Sequence, residues 1–346
     1  MLKSAARRSL VLLAIAAATS SAFAQKAAAP ATKAASATKP AAAPAPAPLN
    51  WPTKPLRIIV GFPPGSTPDL VARTIAEPLS QALGQPVIVD NKVGAGGNIA
   101  ADQVVKATDN HTIGFMINGN MTIAKMLNPA VPFDPLKDLQ PLSLIGTAPL
   151  VLTVPTSAAG DAQEFFLAAR NAGNKWSYGT PGVGTVGHIG MELLKTKTNI
   201  DPVHVPYPGN PQVITAMIGN QIQLALLPPG LATAQVKAGK LKAIGVTSLG
   251  RSPLTPDFPS LNELGIRGFQ LEIWVAAAAP KSLPAPVAAK VSALISEIAR
   301  SPEVRAKLFQ QGWQAAGTTA EGLANRIKSD TAVLGGVIMM RGIKAE

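Results

Sequence analysis

The chain has 346 residues, of which 47% are hydrophobic and 14% charged, with a formal net charge of +12 and no cysteine. Without cysteine there can be no disulfide, no thiolate metal site and no lipid anchor on an N-terminal cysteine. The charge is uneven: residues 1–50 carry six basic groups and no acidic one, whereas 25 basic face 19 acidic residues from Trp51 onward, scattered and with few aromatics, so a nucleic-acid footprint is absent.

The N-terminus reads as an export signal over residues 1–24. Lys3, Arg7 and Arg8 form a basic head, Leu10 to Ala18 is an apolar run too short to span a bilayer, and Ala22-Phe23-Ala24 supplies a cleavage pattern before Gln25. Cleavage would release the protein into the periplasm. Residues 25–50 are mostly Ala and Pro. Proline removes backbone donors and alanine offers little surface for a core, so a tether is expected there. The stretch of about 300 residues that follows is long for one core, which favours two domains. Its mildly basic balance suits an anionic ligand.

From Trp51 the pattern alternates strand and helix. Leu56 to Val60 is a short β-branched run ending in a Gly/Pro turn. Asp69 to Leu83 carries Val71, Ile75, Leu79 and Leu83 at helical spacing, and Pro78 is expected to kink that helix. Pro86 to Asn91, a helix opened by Gly94-Ala95-Gly96-Gly97-Asn98, and Thr112 to Ile117 continue the alternation. Such an order implies a mostly parallel sheet with helices on both faces.

The apolar segment Leu142 to Pro155 is too long for one ordinary strand and reads as a strand that leaves one domain for another. Strand and helix then alternate again through Thr247, and Phe269 to Ala279 is a second extended run that returns the chain. Helices over 284–300, 302–311 and 319–339 are expected to pack on the first domain. The domains expected are 51–148 with 277–346, and 149–276. Two α/β units joined by two crossings leave a cleft between them, where ligands meet strand ends and helix N-termini.

Three loops rich in glycine and hydroxyl residues lie at strand ends: Gly61 to Asp69, Tyr178 to His188, and Pro206 to Asn210. Each alone is an ordinary tight turn; together, on two domains, they point to one binding cleft. The runs GFPPGSTPD, ALGQPVIVDNKVGAGGNIAA, YGTPGVGTVGH and VHVPYPGN resemble the substrate-binding proteins of tripartite tricarboxylate transporters, the Bug receptors. PFDPLKDL, KAGKLKAIGVTS and SPEVRAKLFQQG extend the resemblance in order from Trp51 to Met339.

The resemblance implies a type-II periplasmic binding protein fold, two α/β domains closing over a small carboxylate-bearing solute. By position it assigns ligand contacts to Phe62, Gly65, Ser66, Thr67, Asp69 and Asn118 on the first domain. Thr180, Gly184, Thr185, His188, Tyr207, Gly209, Asn210 and Leu227 would close from the second. It implies inner-membrane permease subunits as partners, with the receptor acting as a monomer and without a cofactor. A ligand-gated sensor in signalling is the alternative. The sequence departs from the family where glycines give way to Ser66 and Thr67, where Gly187 precedes the histidine, and where Leu227 replaces an acid. Those departures suggest an anion or carboxylate whose far end is less cationic or apolar.

Enzyme chemistry finds little support. His111, His188 and His204 lack metal-ligand spacing, there is no H-E-x-x-H or G-x-S-x-G, and Gly94-Ala95-Gly96 lacks the third glycine of a dinucleotide loop, where Ile99 stands. An exported hydrolase is the weakest reading. Trp274, on the return crossing, is a candidate for the cleft wall.

Overall fold

The computed structural model describes residues 50–344 apart from Ala159. The expected export signal and nearly all of the expected tether lie outside them. The first half opens with β1 (Leu56–Val60), α1 (Thr67–Leu83), β2 (Val87–Asn91), α2 (Asn98–Val105) and β3 (Thr112–Ile117). Short helices α3 (Asn118–Thr122), α4 (Ala124–Leu127) and α5 (Pro135–Asp138) lead into β4 (Leu139–Pro149). The middle of the chain forms β5 (Val151–Pro155), α6 (Ala162–Ala172), β6 (Ser177–Thr180), α7 (Val186–Thr198), β7 (Val203–Pro206), α8 (Asn210–Ile218), β8 (Leu224–Leu227), α9 (Pro229–Lys237) and β9 (Leu241–Val246). Then come β10 (Glu272–Pro280), α10 (Ala285–Arg300), α11 (Pro302–Gln310), β11 (Gln314–Ala315) and α12 (Ala320–Arg341).

Two sheets result, one ordered β11-β4-β10-β3-β1-β2 and the other β7-β6-β8-β5-β9. Strand alternation builds a core on each face. Leu56, Ile58 and Val60 turn toward Val71, Ile75 and Leu79 of α1 and Val291 and Ile295 of α10, while Ile59 turns toward Ala101 and Val104 of α2. In the second sheet Leu152, Leu224 and Leu226 pack with Phe165 of α6 and Ile189 of α7. Val151, Ala225 and Leu227 face Val213 and Met217 of α8 on the opposite side. This is the type-II periplasmic binding protein fold, two α/β lobes joined by crossing strands.

Two expectations need correction. The sheets are mixed rather than mostly parallel. β1 pairs in parallel with β2 and β3, and β6 with β7 and β8, but β10 and β11 run antiparallel to their neighbours, as does β5 to β8 and β9. The strands that carry the chain between lobes enter each sheet from the opposite direction, which the local β-α-β rhythm does not report. The last helix does not belong to the first lobe alone. Leu323 and Ile327 of α12 join the core beneath the first sheet, whereas Leu334, Val337 and Ile338 join that of the second. Pro78 stands inside α1, which continues through it to Leu83. Pro78 lies on the half-buried flank of the helix, where a carbonyl deprived of its helical donor can turn toward water.

The two crossings lie side by side, with Glu272 of β10 opposite Pro149 of β4. Thr247, fully buried just after β9, ties them together. Its Oγ1 accepts from Leu150 N (2.8 Å) and donates to Leu271 O (2.7 Å), while its backbone N donates to Leu150 O and its carbonyl accepts from Leu271 N.

Candidate functional site

The loop between β1 and α1 is shaped by Asp69. That carboxylate accepts from Gly65 N (2.9 Å), Arg73 Nε (3.1 Å) and Asn91 Nδ2 (2.9 Å), and Asn91 also donates to Phe62 O (2.8 Å). Burial alone would raise the Asp69 pKa, but the hydrogen bonds from Arg73, Gly65 and Asn91 outweigh it and hold the carboxyl below its ordinary value. Gly65 sits at φ +78°, a conformation that costs a side-chain-bearing residue free energy. Asp69 and Gly65 therefore build the loop, and the loop presents Phe62, Ser66 and Thr67.

The second loop, between β6 and α7, is self-bonded. Thr185 Oγ1 donates to Gly182 O (2.8 Å), and Thr180 Oγ1 lies 2.7 Å from His204 Nε2. Gly184 N donates to His188 Nδ1 (3.3 Å), and the His188 ring stacks on His204 at 4.2 Å, which stacks in turn on Tyr178 at 4.9 Å. Tyr178 donates its hydroxyl to Glu192 (2.6 Å). Burial, aided by the nearby His188, lowers the His204 pKa to about 4, so the ring is neutral at pH 7. Thr180 and His188 thus belong to a network behind the loop.

The third loop crosses to the first. Asn210 Nδ2 lies 3.5 Å from Thr67 Oγ1, and a Cβ on Gly209 would come within 2.8 Å of Pro63. Other contacts between lobes are as close. A Cβ on Gly119 would meet Gly184 O at 2.3 Å, one on Gly96 would meet Val183 O at 2.6 Å, and one on Gly230 would meet Gln311 O at 2.1 Å. Only glycine lets these backbones touch.

Between the lobes lies a cavity of about 50 Å³. Of the residues named from sequence, Phe62, Ser66, Thr67, Asn118, Thr185, Asn210 and Trp274 line it. Gly184 and Tyr207 face a separate, wider cavity of about 530 Å³, together with the Gly94-Ala95-Gly96 turn and Asn120. Gly65, Asp69, Thr180, His188 and Gly209 stand behind the lining as support. Leu227 lies elsewhere: strand alternation turns it into the core against α8, and its neighbour Leu226 takes the cavity wall. Sequence reasoning missed Ile117, Leu150, Leu226, Ile273, Val275 and Trp313, apolar residues whose one available signal was their place at strand ends or next to a crossing.

Two features give the small cavity its chemistry. First, α1, α7 and α8 begin at its wall, which Ser66, Thr185 and Asn210 line, and none of these helices has a side-chain hydrogen bond at its N-cap. The first-turn N–H groups of a helix have no intrahelical acceptor and carry partial positive charge. Second, Ser66 Oγ and Asn210 Oδ1 are buried without a hydrogen-bond partner among the described residues. Rotating the Asn210 amide would let Thr67 donate to the oxygen and leave the NH₂ as the free end. Asn118 is already engaged, donating to Glu272 O (3.0 Å) and accepting from Trp274 N (3.2 Å). Among the described residues, no group of three or more His, Cys, Asp or Glu is placed to hold a metal ion.

The profile of the tripartite tricarboxylate transporter family receptor matches residues 71–343. The chain is 35% identical over 285 residues to the UPF0065 protein in the tcbD-tcbE intergenic region of Pseudomonas sp. strain P51, covering 81% of this chain and 84% of that one. Among solved structures it is similar to the periplasmic binding protein BugD (28% identity, TM-score 0.81, covering 86% of this chain and 100% of that one). Two proteins of Rhodopseudomonas palustris are also similar. MatC, solved with malate, has 28% identity and a TM-score of 0.79, covering 83% of this chain and 100% of its own. Rpa4515, solved with adipate, has 26% identity and a TM-score of 0.82, covering 85% and 99%.

Proposed function

The chain belongs to the tripartite tricarboxylate transporter receptor family, a family of solute-binding receptors, and from that premise we propose that it captures a small carboxylate-bearing solute between its lobes. The observation that carries this reading is the unpartnered Ser66 Oγ, buried where three uncapped helices start. A carboxylate would accept from that hydroxyl and from the first-turn N–H groups, and no lysine or arginine is needed to hold it. The malate and adipate bound by the two R. palustris relatives support the ligand class.

In this reading Phe62, Ser66, Thr67 and Asn118 contact the solute from the first lobe, and Thr185 and Asn210 from the second. The lobes pass into one another at Leu150 and Leu271, and the glycine contacts define the closed arrangement. The protein works in the periplasm, released by cleavage of its N-terminal signal. It binds without catalysis and delivers its solute as a monomer to inner-membrane permease subunits.

Thermal unfolding against a panel of organic acids and their amides tests the proposal. A ligand at about 100 times its Kd adds about 2.7 kcal/mol of stability, enough to raise Tm visibly. A shift with an acid and none with its amide is expected. Equal shifts with both, or shifts with amides alone, would refute carboxylate recognition.

A further inference from the structure

We infer that this receptor selects monocarboxylates with a compact apolar body and rejects dicarboxylates such as malate and adipate. The inference rests on the carboxylate-receptor reading and goes beyond it by naming the end of the solute that the site refuses. The unpartnered polar side chains of the cavity lie at one place, where the starts of α1 and α8 meet. Ser66 Oγ is buried and unpartnered, and Asn210 has one free amide end beside it, so one carboxylate can exchange water for donors there.

Away from the helix starts the lining is largely apolar. Leu150, Leu226, Ile273 and Val275 are hydrocarbon, and no lysine, arginine or histidine is among the lining residues. The polar groups nearest to that wall are already committed. The Trp274 indole N–H is spent on Asp330 Oδ2 (2.6 Å), and the Asn118 amide is bonded to β10 at both its nitrogen and its oxygen. A second carboxylate pressed against this wall would lose its water without gaining a donor, and an unpaired buried charge is among the most costly groups a protein can hold. An alkyl chain or ring in the same place is stabilised by leaving water. The small volume of the cavity, about 50 Å³, keeps the apolar body compact.

Isothermal titration of the full mature chain with butyrate, hexanoate, benzoate, malate, adipate and benzamide decides the matter. At least one of the three monocarboxylates is expected to bind at least about tenfold more tightly than either dicarboxylate, with benzamide silent. Malate or adipate binding as tightly as the best monocarboxylate overturns the selectivity while leaving the carboxylate receptor intact. Benzamide binding as well as benzoate, or no acid binding at all, overturns both. Ser66→Ala supplies a second readout. The wild-type hydroxyl has no partner among the described residues, so its removal should leave unfolding by urea unchanged or slightly harder, yet weaken the best monocarboxylate by about tenfold. Unchanged affinity in a folded S66A protein would remove Ser66 from the anion site and with it the argument for a single charged end.

Discussion

Trp274 and Asp330 meet across 56 positions of sequence: the indole Nε1 of a fully buried cavity-wall residue donates to Asp330 Oδ2 over 2.6 Å. Asp330 lies on α12, between the residues that anchor the helix to one lobe and those that anchor it to the other. Arg326, one turn earlier, pairs with Asp330 (2.9 Å) and with Glu272 (3.0 Å), the residue that opens β10. The wall of the cavity, the return crossing and the last helix thus share one polar cluster.

Replacing Asp330 with alanine leaves a buried indole N–H without an acceptor. A hydrogen bond to a charged group contributes about 1.5–3 kcal/mol. Asp330→Ala should lower the urea midpoint by an amount in that range. Asp330→Asn keeps an acceptor and loses only a partly exposed ion pair, which is worth little, so most of the stability should return. Equal losses in the two variants would show that the ion pair with Arg326, and not the indole bond, is what matters.

Thr247 offers a similar test at the crossings. Thr247→Val keeps the shape and removes the hydroxyl that bonds Leu150 N and Leu271 O, two buried backbone groups. A loss of about 2–4 kcal/mol is expected, since each group left unsatisfied costs about 1–3 kcal/mol. Thr247→Ser, which keeps the hydroxyl, should recover most of it. If serine is no better than valine, packing of the methyl group holds the crossings and the hydroxyl does not.

These relationships mark where the sequence stops being legible. β1 and β3 were readable to the residue, because β-branched runs end in turn residues at both sites. The loops at 61–69, 178–188 and 206–210 were visible as glycine-rich strand ends, and five residues named from them, Phe62, Ser66, Thr67, Thr185 and Asn210, line the cavity. What failed was phase and distance. Leu226 and Leu227 are chemically alike, and only the pairing of β8 with β5 decides which one faces the cavity. The antiparallel entry of the crossing strands depends on where the chain goes after leaving a lobe. The contacts Asn91 makes with Asp69, Trp274 with Asp330 and His188 with His204 join residues 16 to 56 apart, and no local pattern encodes them.

Gly119 tests whether the touching lobes set affinity. It lies in α3, where alanine is the better helix former, so the first lobe itself should tolerate Gly119→Ala. The added Cβ would nevertheless stand 2.3 Å from Gly184 O on the other lobe. The variant should unfold normally, show a larger radius of gyration by small-angle scattering, and bind its solute at least about tenfold more weakly. A variant with wild-type radius and affinity would mean that this contact yields without consequence for binding.

His204 predicts how stability depends on pH. Burial is the main cause of its lowered pKa and the neighbouring His188 adds to it, while Glu192 works in the opposite direction and Lys195 in the same. The folded ring takes a proton only near pH 4, whereas the unfolded one does so near the ordinary 6.5. Between these values the unfolded chain binds one more proton than the folded protein. Stability therefore falls as pH drops through this window, by at most about 1.4 kcal/mol per pH unit from this group. Carboxylates lowered by folding, such as Asp69, contribute their own loss only at more acid pH, as they approach protonation. Urea unfolding at about pH 7 and about pH 5 should give a difference that shrinks in His204→Gln, which can still bond Thr180 but cannot titrate. An undiminished difference would assign the acid sensitivity to a group other than His204 and would mean that the stacked ring accepts its proton in place.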